Sequence, residues 1–68
     1  MSLVHVSLNG EERTVAGGLR VRSLLSDDQI EQVERGELVV LDRAGRERGL
    51  DGALADGLAL RVVTPPRL

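Results

Sequence analysis

The chain has no cysteine, no aromatic residue and no lysine. Without cysteine, neither disulfides nor thiolate–metal bonds can staple so short a sequence. Without Phe, Tyr or Trp, the 41% of the chain that is hydrophobic must build its core from Val, Leu, Ile and Ala. Without lysine there is no ε-amine for a Schiff base or a lysine-linked modifier; all nine basic residues are arginines. A single histidine, His5, and no cysteine do not make an ordinary zinc site. No apolar run approaches the roughly 20 residues that cross a bilayer. Met1–His5 lacks the charged-then-apolar pattern of a secretory leader, so the expected compartment is the cytoplasm. A net charge of −2 argues against a general nucleic-acid binder and leaves room only for a local basic patch.

Sixty-eight residues correspond to one domain, 1–68, that buries only about 60% of its unfolded surface. Val4, Val6 and Leu8 alternate with His5 and Ser7, the pattern of a half-buried strand. Asn9-Gly10 then predicts a tight hairpin, because both residues accept positive φ. A second strand is expected over about Glu12–Ala16, with Arg13 and Val15 facing opposite ways, ended by Gly17-Gly18. Val21, Leu24, Leu25, Ile30 and Val33 form an apolar helical stripe. Ser26-Asp27-Asp28-Gln29 has the form of a capping box, which predicts a short helix at 21–25 and a restart at 27–35. Asp27 and Asp28 suit the start of the helix dipole, and Arg35-Gly36 suits its end.

Leu38-Val39-Val40-Leu41 is a continuous apolar run, expected as a central strand buried on both faces. Ala44-Gly45 predicts a turn, 46–50 a short polar edge strand, and 58–63 a last strand that Thr64-Pro65-Pro66 stops. The order predicts an α+β fold: a mixed sheet of four or five strands gripping one main helix. The expected core is Val4, Val6, Val15, Val21, Leu24, Leu25, Ile30, Val33, Val40, Leu60 and Val62.

Three phrases in this order, Val6-Ser7-Leu8-Asn9-Gly10-Glu11-Glu12-Arg13, Val21-Arg22-Ser23-Leu24-Leu25 and Leu54-Ala55-Asp56-Gly57, resemble the sulfur-carrier proteins of thiamine and molybdopterin biosynthesis. The resemblance covers about residues 3 to 63 and implies a ubiquitin-like β-grasp fold. It also implies an adenylating, E1-like enzyme or a biosynthetic enzyme as partner. Those carriers are activated at a C-terminal Gly-Gly; this chain has Pro65-Pro66-Arg67-Leu68 in that place, so no functional residue of the family transfers. The final Val62-Val63-Thr64-Pro65 also resembles small β-grasp domains attached to threonyl-tRNA synthetases and some GTPases, which implies RNA-associated work.

No catalytic, cofactor-binding or metal-binding residue stands out. His5 reads as a solvated strand position, and Asp27, Asp28, Asp51 and Asp56 as caps and turns rather than paired acids. Gly17-Gly18 has neither the spacing nor the lysine of a phosphate loop. Two features remain. Arg43, Arg46 and Arg48, with Arg61 on an adjoining strand, form either a solvated edge or a contact for an acidic partner or RNA. Val39, Leu41 and Val63 form an exposed docking patch, or they are covered by loops or a dimer partner, or they are part of a two-sided core. The expected function is a non-enzymatic, ubiquitin-like protein that docks on another protein. The alternatives are a true carrier activated through its tail, Pro65 to Leu68, and an RNA-associated module.

Overall fold

The computed structural model describes residues 2–65. Its elements are β1 (Leu3–Leu8), β2 (Glu11–Ala16), a 3₁₀ turn (Val21–Leu24), α1 (Asp27–Glu34), β3 (Val39–Asp42), β4 (Glu47–Arg48) and β5 (Leu58–Val63). The strands form one mixed sheet in the order β2-β1-β5-β3-β4. β1 and β5 run parallel at its centre, and every other pairing is antiparallel. This α+β arrangement, with one helix crossing between β2 and β3, is compatible with a β-grasp fold. No helix among the described residues is long and apolar enough to cross a membrane.

The turns form where their chemistry requires. Asn9 and Gly10 both take positive φ, at 53° and 84°, the geometry that matches a two-residue hairpin to strand twist. Asn9 also serves the neighbouring strand. Its N–H donates to the Leu60 carbonyl at 2.9 Å, and its Oδ1 accepts from the Val62 N–H at 2.9 Å. The hairpin turn thereby extends the β1–β5 ladder past the end of β1.

Ser26 caps α1 reciprocally: its Oγ accepts from the Gln29 N–H, and Gln29 Oε1 accepts from the Ser26 N–H. At the other end Gly36 takes φ 78°. Its N–H reaches the Val33 carbonyl and that of Glu37 reaches Gln32, the paired bonds of a Schellman ending. The expected break at Ser26 is present.

One face of the sheet carries the core. Val6, Leu8, Val40 and Leu60 meet Val21, Leu24, Leu25 and Leu54, with Val4, Val15, Ile30, Val33, Leu50, Leu58 and Val62 packed around them. All eleven expected core residues belong to this cluster or its margin; Leu8 and Leu54 join it as buried members.

Four expectations need correction. Arg13 and Val15 share the core face, because residues two apart on a strand point the same way; they pair with Val6 and Val4, which lie there too. β4 is only two residues long, Glu47–Arg48, rather than 46–50. The sheet does not grip α1 closely, since no residue of that helix is fully buried; the 3₁₀ turn supplies the buried Val21 and Leu24 instead. Finally, β3 is not buried on both faces. Val40 and Asp42 are buried while Val39 and Leu41 are half-buried, so the strand alternates and its second face is only partly covered among the described residues.

Loop 50–54 is strapped to residues 19–22, at the start of the 3₁₀ turn. The Val21 and Arg22 N–H groups donate to the Gly52 and Leu50 carbonyls, and Arg22 pairs with Asp51 at 3.1 Å. These bonds hold Leu54 over the core.

Candidate functional site

The face of the sheet turned away from the core and helix is where sequence and structure meet. Register places Val39 opposite Val63 and Leu41 opposite Arg61. Ala59 lies two residues before Arg61 on the same side, since its β1 partner is Ser7 rather than a core residue. Val39, Leu41, Ala59 and Val63 are all half-buried, whereas Arg61 is exposed. The structure thus brings Val39, Leu41, Val63 and Arg61 together on two neighbouring strands, with Ala59 as a member that sequence reasoning missed.

An open hollow of about 520 Å³ lies beside this patch, over β1 and β2. His5, Ser7, Glu12, Thr14 and Arg43 line it; Val39, Leu41 and Val63 do not. At its edge the His5 N–H donates to Asp56 Oδ1 at 2.7 Å, and the His5 ring Nδ1 lies 3.1 Å from the same oxygen. The Gly57 N–H donates to the His5 carbonyl at 2.7 Å. The Asp56-Gly57 turn thereby clasps β1 just before the parallel ladder begins. The hydrogen bond from the His5 backbone, followed by that from its ring, holds the Asp56 carboxyl below the ordinary carboxylate range. His5 is thereby engaged in holding a turn. Ser7, the nearest hydroxyl on its strand, makes no hydrogen bond with it among the described residues.

The expected arginine cluster divides. Arg48 is tied to the core side, donating Nε–H to Asp42 Oδ2 at 3.0 Å. Asp42 is a buried carboxylate, 6% exposed. Its Oδ1 also accepts the Ala44 and Arg46 N–H groups, each at 2.9 Å, so it organises the whole β3–β4 turn. The Arg46 backbone bond, ahead of the Arg48 bond, holds its carboxyl low against the opposing effect of burial. Its role was hidden in the sequence because Asp42 follows an apolar run and resembles an ordinary turn residue.

A depressed folded pKa stabilises the fold above the unfolded value of about 3.9, and that contribution is lost as pH falls through the lower folded value. Between neutrality and pH 3, denaturant midpoints should therefore fall less for Asp42→Asn than for the parent chain. At neutral pH the variant starts lower. Equal falls for both chains would remove Asp42 from the acid response.

Arg43 and Arg46 are exposed. Pro65 is half-buried. Pro66, Arg67 and Leu68, the rest of the expected tail, lie outside the described residues. Among the described residues no group of three or more His, Asp or Glu side chains is placed to hold a metal ion. No protein-family model, curated protein or solved structure matches the chain.

Proposed function

We propose that this chain is a non-enzymatic, ubiquitin-like β-grasp protein that acts by docking the open face of its sheet on another protein. The observation that carries this reading is the pairing of Val39 with Val63 and of Leu41 with Arg61 on the face opposite the core. Aliphatic side chains gathered on an open sheet face with a cation beside them have the composition of an interface centre and its rim. Here the core side of the sheet already has its own cover, and among the described residues the other side does not.

The ubiquitin-like assignment draws support from the strand order and from where the three resembling phrases fall. They occupy the β1–β2 hairpin, the 3₁₀ turn and the lead into β5. A partner drawn from adenylating or biosynthetic enzymes is in keeping with that lineage. If the chain is instead a carrier activated through its tail, intact mass after isolation from the host will show a sulfur-for-oxygen gain.

Val39→Asp and Val63→Asp separate docking from folding. Both variants should keep a native, well-dispersed amide spectrum and lose association with the partner by roughly tenfold or more, the scale of a disrupted interface centre. Loss of the folded spectrum in both would put these residues in a core and remove the docking surface.

A further inference from the structure

The side chains of five of the described arginines have partners. Arg13, Arg22, Arg35 and Arg48 pair with Glu11, Asp51, Glu31 and Asp42, and Arg20 donates to the Asp51 carbonyl. Arg43, Arg46 and Arg61 have none among the described residues, and two of these three border the open face. Arg61 stands beside Leu41. Arg43 lies near Ala59 and lines the hollow. Along β5 the face therefore reads as the aliphatic pair Val63–Val39, then Arg61 with Leu41, then Ala59 with Arg43. Each step advances about 7 Å, two residues of strand.

On this face the outer strands carry the opposite charge. Glu47 flanks Leu41 from β4, and Glu12 lies opposite Ser7 on β2. Asp56, held by His5, is the remaining carboxylate near the hollow. A cationic strip bounded by carboxylates suits a narrow ligand and opposes a broad acidic surface.

We propose that the open face takes a short partner-protein segment with an aliphatic cluster followed by one or two carboxylates. The cluster would lie on Val39, Leu41 and Val63, and the carboxylates on Arg61 and Arg43. This rests on the docking function proposed above and adds the chemistry of the partner. RNA fits less well: the face offers no aromatic ring on which bases stack, and the rim glutamates repel a phosphate backbone.

The test titrates isotope-labelled full-length chain with three probes. They are a short synthetic peptide with a Leu-rich cluster followed by glutamates, the same peptide with lysines in place of glutamates, and a single-stranded RNA of similar length. The acidic peptide should shift the Val39, Leu41, Arg61 and Val63 amides and bind roughly tenfold more tightly than the basic one. Arg61→Glu and Arg43→Glu should reverse that preference. Both arginines are exposed and without partners among the described residues, so folding is unaffected. Equal binding of the two peptides on this face would overturn the charge preference and leave the docking function standing. No shift on this face with either peptide at millimolar concentration would overturn both. Tighter binding of the RNA at the same amides would overturn the peptide assignment.

Discussion

Leu60→Ala should leave most of the chain unfolded in water. Leu60 is 1% exposed at the middle of the central strand, against Leu8 and the rest of the core. Removing a buried leucine side chain costs about 2–5 kcal/mol, part lost transfer energy and part cavity. A core of this size supplies a net stability of at most roughly 3–5 kcal/mol, so the loss is comparable with the whole. Leu3, 64% exposed, is the control; Leu3→Ala should change stability by no more than about 0.5 kcal/mol. The chain has no tryptophan or tyrosine, so unfolding is followed by far-ultraviolet circular dichroism. A Leu60→Ala chain as stable as its parent would show that the core lies elsewhere.

Asn9→Ala is the second large effect. It forces alanine into the left-handed region that Asn9 occupies at φ 53° and removes the acceptor for the Val62 N–H. Together these should cost about 2 kcal/mol. Asn9→Gly separates the two causes, because glycine accepts the backbone conformation but cannot accept the hydrogen bond. Its cost should be roughly half that of Asn9→Ala. Equal costs in urea titrations would mean that the positive φ contributes nothing. Neutral results for both would mean that the turn does not support β5.

Local features of the fold were legible because their chemistry is local. Asn9-Gly10, the Ser26 capping box and the Gly36 ending each need only a few neighbouring residues, and each forms as expected. Leu8 could also have been placed in the core, since it shares the parity of Val4 and Val6. The order of the strands was less accessible, because β1 and β5 meet across fifty residues of chain. Leu54 gave no periodic signal: it stands among glycines and aspartates and is buried only because its loop is strapped to residues 19–22.

Leu38–Leu41 misled for a physical reason. A strand with a core on one face and half-buried aliphatic side chains on the other has the same composition as one buried twice. The patch residues were thus visible as a possibility, and only the register decided which side each one takes. The arginines show the same limit. Their clustering was plain in the sequence, but Arg48 is spent on a buried aspartate while Arg43 and Arg61 have no partner among the described residues, which follows from the fold rather than from spacing.

The docking function is tested most directly by a photo-crosslinking residue placed at Val63 in the protein expressed in its own host, with the same residue at Glu34 as control. Position 63 lies on the open face, and position 34 is an exposed site on α1. A discrete heavier adduct from position 63 and none from position 34 is the predicted result, with the adduct lost when Val39→Asp is added. Adducts from position 34 alone, or from both positions and unaffected by Val39→Asp, would contradict a docking surface on the open face.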